Sequence, residues 1–515
     1  MSGPPNPPAG GPPPQPPFDA RMAVGLLGIL IAAMTAGFSN RVAALALADV
    51  RGALGFGVDE FSWLGTVYSA GELVAMPFAT WCAITFSLRR FHMAMLAAMM
   101  GIAAVLPFCH SLVLLLALRA LQGVCGGALM PVLMMSALRF LPPPIRLHGL
   151  AFYAMTATFA PNVALEIAAL SLDRLDDWRW VYWQVVPLGL IAMALVYWGA
   201  PKLPMALGRL REANWLGAAL GAPGLALLVV VMDQGLRLDW LNSSLIRAAL
   251  LMGSVLTALF VVSEWRHPAP FMRLQLLARK NLGLGFTIFV CLLVTLATGV
   301  ALPATALQHG HNFRMPEVAW LGSLVGAPQL VLGSAVALLL YQPWVDARYL
   351  FCLGLLCIAG ACSLAAGVTS EWMAGEFFWV QALHMVGQPM AIVSLLFLAT
   401  SVVAPPEGAF VSGIVNTLRA LGTTFGAMLI GEIMKLRGDF HAEILLGAAT
   451  RTAPTPGLAG LVAEQAAVLA TADIYRIFAF VALALIPLVL CLQKIPAPKI
   501  APPPKATPPQ TASAT

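Results

Sequence analysis

The stretch that decides the fold is LRALQGVCGGALMPVLMM, residues 118–135. Apart from Arg119 and Gln122, it contains only apolar residues and glycine. Its length approaches the ~20 residues that a helix needs to cross a bilayer. An arginine that faces lipid at the centre of such a helix costs roughly 3 kcal/mol or more. Arg119 is therefore expected to face protein or a water-filled cavity.

The composition of the whole chain is that of a membrane protein. Of its 515 residues, 60% are hydrophobic and only 10% are charged, whereas soluble domains are about a quarter charged. So few charges cannot cover a water-facing surface, which indicates a polytopic membrane protein. The net charge of +6 comes from basic residues scattered between apolar runs, so it does not indicate a nucleic-acid partner.

Fourteen apolar runs are long enough to span a membrane, which predicts an all-α polytopic fold. The runs cover about 22–45, 61–85, 91–110, 112–138, 147–170, 179–200, 214–233, 244–264, 281–304, 317–341, 349–368, 376–400, 408–432 and 474–493. Pro-rich segments at 1–21 and 495–515 flank the spans and are predicted to be disordered tails.

The distribution of lysine and arginine predicts the orientation in the membrane. With the N-terminus inside, the inner connections carry more basic residues than the outer ones. Both termini are therefore predicted to be cytoplasmic. The one long hydrophilic connection, about 433–473, is predicted to lie outside.

A weak internal repeat divides the chain. RALQGVCGGALMP begins at Arg119 in span 4, and QALHMVGQPMAIV begins at Gln381 in span 12. This spacing predicts a six-helix bundle over 22–200, a two-helix insert with linkers over 201–280 and a second six-helix bundle over 281–494. Such repeats are typical of transporters whose site lies near mid-membrane between the repeats.

Four motifs resemble those of the major facilitator superfamily, in its fourteen-helix drug:proton antiporter branch (EmrB/QacA-like). They are RALQGVCGGALMP, DDWRWVYWQVVPLGL (176–190), LDWLNSSLI (238–246) and NTLRALGTTFGAMLIG (416–431). The resemblance implies the major facilitator fold, in which two six-helix bundles are joined here by two inserted helices. It also implies that Arg119, Gln122 and Gly123 face a central cavity.

Three motifs depart from that family pattern. The loop between spans 2 and 3, TWCAITFSLRRFHM (80–93), lacks the usual acidic residue and second glycine. Span 1 has Ser39 where the branch has aspartate, and Arg41 where it has threonine. FAPNVALEIAAL (159–170) keeps Pro161 but loses the glycines of the antiporter motif and gains Glu166. The coupling chemistry is therefore expected to differ from that of better-known members.

Few ionisable residues lie inside the predicted spans, and polar neighbours share their helix faces at spacings of three or four residues. The groups are Arg119 with Gln122 and Gly123; Tyr68 with Glu72; Thr158 with Asn162 and Glu166; Gln381 with His384 and Gln388; Asn416 with Arg419; and Arg41 alone. This clustering predicts a water-lined cavity, because an ionisable group inside a membrane requires a cavity or a partner.

We predict proton coupling at Glu72 and Glu166, assisted by Arg119 and Arg41. A carboxylate that alternates between an apolar setting and an arginine neighbour can bind a proton on one side and release it on the other. Glu72 is the predicted partner of Arg119. The alternative for each carboxylate is a fixed ion pair between helices, and for His384 a hydrogen-bonded core histidine.

No motif of an enzyme or of a nucleotide-binding loop is found, and no cofactor is predicted. HGHNF (309–313) has metal-like spacing but no further ligands, so no metal site is predicted. The predicted cavity contains three arginines, Arg41, Arg119 and Arg419, and two deep carboxylates, Glu72 and Glu166. Its net charge is therefore positive, which favours anionic or weak-acid amphiphiles as substrates.

These patterns predict a proton-coupled exporter in a bacterial inner membrane. The resemblance implies that a periplasmic adaptor and an outer-membrane channel could work with it. Two alternatives are an uptake or facilitative carrier of the same fold and a membrane sensor or scaffold that does not transport.

Overall fold

The computed structural model describes residues 18–299, 301–449 and 457–498. Within these residues the secondary structure is helical, and fourteen helical segments are long and apolar enough to cross a membrane. The prediction of an all-α protein with fourteen spans is confirmed. Most of the predicted tails 1–21 and 495–515, part of the connection 433–473 and the side chain of His309 in the HGHNF motif lie outside the described residues.

The helices that form the spans follow the apolar runs. They are Ala20–Leu45 (span 1), Val58–Thr85 (span 2), Leu88–Val105 (span 3), Leu112–Phe140 (span 4), Pro143–Ala169 (span 5), Trp180–Trp183 with Val185–Gly199 (span 6), Trp215–Gln234 (span 7), Ser244–Arg266 (span 8), Lys280–Leu296 with Ala301–His311 (span 9), Met315–Gly326 with Gln329–Leu340 (span 10), Ala347–Ala365 (span 11), Phe378–Thr400 (span 12), Gly408–Ala449 (span 13) and Leu458–Leu490 (span 14). A short helix, Leu47–Leu54, follows span 1.

An even number of spans places the start of span 1 and the end of span 14 on the same side. We call this side the terminal face and the other side the opposite face. Odd-numbered spans therefore run from the terminal face to the opposite face, and even-numbered spans run back. This alternation gives each residue an approximate depth, because a helix rises about 1.5 Å per residue.

Spans 2 and 4 pack closely because glycines face their contact. A Cβ on Gly123 would lie 2.1 Å from the Tyr68 carbonyl oxygen, and one on Gly127 would lie 2.2 Å from that of Glu72. Across the same contact, a Cβ on Gly71 would lie 2.2 Å from the Ala120 carbonyl oxygen. Gly123 and Gly127 form a G-x-x-x-G spacing on one face of span 4, and only glycine leaves room for so close an approach.

Spans 4 and 13, which belong to the two predicted bundles, meet in the half of the protein near the terminal face. A Cβ on Gly408, at the start of span 13, would lie 3.1 Å from the Cβ of Leu138 at the end of span 4. One turn deeper, the Ser412 hydroxyl donates to the Pro131 carbonyl oxygen at 2.5 Å. These contacts hold the end of span 4 against the start of span 13 on the terminal side.

Spans 13 and 14 extend far beyond their apolar parts. The 42 residues of span 13 make a helix about 63 Å long, roughly twice the thickness of a bilayer core. Asp473 ties the two extensions together by an ion pair with Arg437 at 2.7 Å and a hydrogen bond with His441 at 2.8 Å, and it also pairs with Arg476 of its own helix at 2.8 Å. The described part of the connection 433–473 is therefore largely helical, because polar residues end an apolar run without ending a helix.

Candidate functional site in the bundle interface

A cavity of about 260 Å³ lies between spans 1, 2, 7 and 13, in the half near the opposite face. Its lining includes Arg41, Ser69, Glu72, Asp233, Arg419 and Thr423. Asp233 and Thr423 are exposed, so the cavity communicates with the surroundings. Two arginines and two carboxylates thus meet where the bundles separate.

Glu72 is the deepest carboxylate of this cavity. It lies half-buried on span 2, and the charges that act on it most strongly are the guanidinium groups of Arg419 and Arg41. Within the described parts of the chain, its carboxylate has no hydrogen bond and no ion pair shorter than 4.0 Å. Glu72 is therefore a carboxylate held near two cations without being locked to either.

Arg119 does not pair with Glu72, so the predicted ion pair is wrong. Its guanidinium lies 4.4 Å from the ring centre of Tyr68 and 5.6 Å from that of Tyr182. It donates to Gln122 Oε1 at 2.7 Å and is only 2% exposed. Tyr68 lies one turn from Glu72 on the same helix, and its ring provides a cation–π contact in place of the carboxylate.

Arg119 instead borders a second cavity of about 250 Å³, lined also by Tyr182, Asp233 and Arg237. Asp233 is therefore shared between the two cavities. Gln122 and Gly123 are buried near Arg119 on span 4, and Gly123 packs against the Tyr68 backbone of span 2.

Arg419 connects the cavity to the other bundle. Its Nη1 donates to the Thr156 hydroxyl on span 5, and its Nη2 lies 2.6 Å from the Met130 sulfur on span 4. One turn earlier on span 13, Asn416 Oδ1 accepts a hydrogen bond of 3.1 Å from the Tyr153 hydroxyl. Arg419 and Asn416 thus hold span 13 against the N-terminal bundle, on the side of the cavity nearer the terminal face.

Span 5 places its predicted residues at two depths. Asn162 donates to Gln388 Oε1 across the bundle interface at 3.1 Å and also to the Thr158 carbonyl oxygen. Glu166 lies nearer the opposite face, where its side chain is 38% exposed and pairs with Arg174 at 3.7 Å. Glu166 therefore does not line the cavity that contains Glu72.

Span 12 buries Gln381, His384 and Gln388 in the protein interior. Gln381 donates to the Gly299 carbonyl oxygen at 2.6 Å, where the two helices of span 9 are interrupted. His384 is fully buried, and neither of its ring nitrogens has a partner among the described residues. The hydrogen-bonded core histidine considered for this position is therefore not what the structure has.

Sequence reasoning missed Asp233. The residue comes at the end of the apolar run of span 7, where a carboxylate would ordinarily reach water outside the membrane. Only the packing of span 7 against spans 2 and 13 brings it to the cavity. The sequence feature that could have indicated it is an acidic residue directly after the apolar residues VVVM (229–232), in a helix assigned to the insert.

Comparison with known proteins finds a similarity to one family profile. Residues 29–278 match the sequence profile described as Major Facilitator Superfamily. This match covers just under half of the chain. The match confirms the family resemblance and agrees with the arrangement of two bundles around a central cavity.

Relatives within the superfamily are similar over most of their length. The colistin resistance protein EmrB of Acinetobacter baumannii is 23% identical over 78% of this chain and 78% of its own. The fatty acid resistance protein FarB of Neisseria gonorrhoeae is 24% identical over 82% of both chains. The multidrug export protein EmrB of Escherichia coli K12 is 21% identical over 82% of both chains.

Solved structures show the same fold at low identity. The human organic anion transporter MFSD10 matches with a TM-score of 0.54 and 14% identity, over 92% of this chain and 100% of its own. A double tryptophan mutant of XylE matches with a TM-score of 0.53 and 14% identity, over 92% and 96%. The predicted major facilitator fold is confirmed.

Proposed function

We propose that this protein is a proton-coupled exporter of small amphiphilic or weak-acid toxic compounds. The observation that carries the proposal is Glu72, which lies in a cavity between the bundles and faces Arg41 and Arg419 without an ion pair to either. The names of the EmrB and FarB relatives support export, because they describe resistance and multidrug export.

Protonation of Glu72 would change the attraction between the bundles. Glu72 belongs to span 2 and Arg419 to span 13, so an ionised Glu72 attracts the C-terminal bundle across the cavity. A proton on Glu72 removes this attraction, whereas the Arg419 contacts with Thr156 and Met130 remain. The relative position of the bundles would therefore depend on protonation, as proton coupling requires.

The charge of the cavity region supports anionic or weak-acid amphiphiles among the substrates. Arg41 and Arg419 line the first cavity and Arg119 borders the second. An organic anion could accept hydrogen bonds from a guanidinium, which is well suited to carboxylates.

For the cellular setting we place the chain in a bacterial inner membrane with both termini in the cytoplasm. The distribution of basic residues supports this orientation. The opposite face, toward which the cavity with Glu72 lies, is then outside. An adaptor protein and an outer-membrane channel remain part of the proposal through the family resemblance alone.

Proton release from energised inside-out vesicles tests the function. Ethidium and oleate are added as a cationic and a weak-acid probe, and the internal pH is followed with a dye. We expect one of the probes to dissipate the pH gradient in wild type and in Glu371→Gln, which alters an exposed carboxylate. Glu72→Gln should abolish the response. An equal response of Glu72→Gln and wild type would contradict the assignment of Glu72.

A further inference from the structure

The inserted span 7 contributes a carboxylate to the transport cavity. Among the described residues, Asp233 is the one acidic residue that lines both cavities. It is exposed to the cavity, and its Oδ2 accepts a hydrogen bond from the Thr66 hydroxyl on span 2. In the described residues it forms no ion pair shorter than 4.0 Å. Its charge is therefore available to the cavity.

A network of hydrogen bonds fixes Asp233 at this place. The next residue, Gln234, donates to the Thr66 hydroxyl at 2.5 Å and accepts from Arg237 at 2.6 Å. Arg237 in turn pairs with Asp59 at the start of span 2 at 2.8 Å. The end of span 7 is thus attached to span 2 independently of the Asp233 carboxylate.

The turn after span 7 also reaches the C-terminal bundle. Trp240 donates from its indole nitrogen to Glu432 of span 13 at 2.9 Å. The insert therefore touches both sides of the interface along which the bundles would move, and Asp233 lies between these two attachments.

Protonation of Asp233 changes the net charge of a cavity that contains several other charged groups. The titratable or charged groups that share its two cavities come from spans 1, 2, 4, 6 and 13 and from the turn after span 7: Arg41, Glu72, Arg119, Tyr182, Arg419 and Arg237. In the first cavity, two arginines face two carboxylates, so a proton on either carboxylate leaves a net positive charge.

We infer that Asp233 is a second proton-binding carboxylate of the transporter, placed at the outer mouth of the cavity, through which protons reach Glu72. A proton from the external medium binds the Asp233 carboxylate, is given up to water in the cavity and is bound by the deeper Glu72 carboxylate. No other bond forms or breaks. The inserted helices are then part of the coupling machinery. This inference rests on the proposed function.

Charge displacement after a pH jump tests the inference without knowledge of the substrate. Purified full-length protein in liposomes is adsorbed on a solid-supported membrane, and the external pH is lowered rapidly. With Asp233→Asn, the displaced charge should fall to about half or less, as expected when one of two coupled proton-binding carboxylates is removed. The matched control is Asp239→Asn, which alters an exposed carboxylate of the same insert that is bonded to Asn242.

A further variant separates proton binding from helix attachment. Thr66→Val removes the hydroxyl that is bonded to both Asp233 and Gln234 and leaves the Asp233 carboxylate, so it should retain most of the displaced charge. If Thr66→Val loses as much as Asp233→Asn, the displaced charge depends on the attachment of span 7 to span 2 and not on proton binding by Asp233, and the inference is overturned.

The remaining outcomes distinguish the inference from the proposed function. Equal displacement in wild type and Asp233→Asn overturns the inference and leaves the role of Glu72 intact. No displacement in wild type, from protein that still matches the circular dichroism of a folded helical chain, overturns both.

Discussion

Gly127→Ala should misplace Glu72 through the contact between spans 2 and 4. The added Cβ would lie 2.2 Å from the Glu72 carbonyl oxygen, whereas ordinary contact begins at 3.4 Å. The two backbones must therefore move apart by about 1.2 Å at that point. Overpacking of this kind typically costs about 1–3 kcal/mol, which corresponds to roughly a 5- to 150-fold change in an equilibrium constant.

The loss of transport should exceed the loss of stability. The atom that must move belongs to Glu72 itself, and a shift of about 1 Å in a reacting group can reduce activity by roughly 100-fold. Transport is measured with the vesicle assay, and stability by the thermal unfolding of protein in detergent. Gly127→Ala should unfold at a lower temperature than wild type and transport very slowly.

Gly101→Ala is the matched control for this prediction. A Cβ on Gly101 meets no atom within 4 Å, so this variant only gains the helix propensity of alanine, about 1 kcal/mol. If Gly127→Ala equals Gly101→Ala in both unfolding temperature and transport, then the close contact does not position Glu72, and the reasoning fails.

Three further variants test other contacts. Arg119→Lys keeps the charge but loses the planar contact with Tyr68 at 4.4 Å, so transport should fall about tenfold or more; wild-type transport would contradict a role for this contact. Tyr153→Phe removes a buried hydrogen bond between the bundles worth about 1 kcal/mol, so spin-label distances between the bundle ends at the terminal face should broaden toward longer values. Burial opposes the charge of Asp346, but hydrogen bonds from Arg348 outweigh it and hold the pKa of this carboxyl below its usual range. The ionised Asp346 carboxylate therefore stabilises the fold above its unfolded pKa of about 4, and this stabilisation is lost as the pH falls through the lower folded pKa. The difference in thermal stability between wild type and Asp346→Asn should consequently shrink below about pH 4. A difference that stays constant with pH would refute this prediction.

The membrane architecture was predictable because its signal is local. The length of each apolar run determines whether a helix crosses the bilayer, and that rule located fourteen spans without any knowledge of their packing. The close contact at Gly123 and Gly127 was predictable for the same reason, since four residues place both glycines on one helix face. The extension of span 13 to Ala449 was missed, because hydropathy marks the membrane core and not the end of a helix.

The partners of the charged residues depended on tertiary packing. Periodicity shows which residues share a face of one helix, but neither the rotation nor the depth of the neighbouring helix. Arg119 consequently meets the Tyr68 ring instead of Glu72, and Glu166 lies nearer the opposite face, paired with Arg174.

The sequence alone determined that this chain crosses the membrane fourteen times, that it resembles major facilitator transporters and that a few ionisable residues are placed where lipid would exclude them. Only the tertiary structure decided which of them share a cavity: Glu72 with Arg41, Arg419 and Asp233. The physical reason is that burial of apolar surface is a property of each segment, whereas the energy of a charge depends on the distance to other charges. Those distances are set by the packing of helices that are far apart in the sequence.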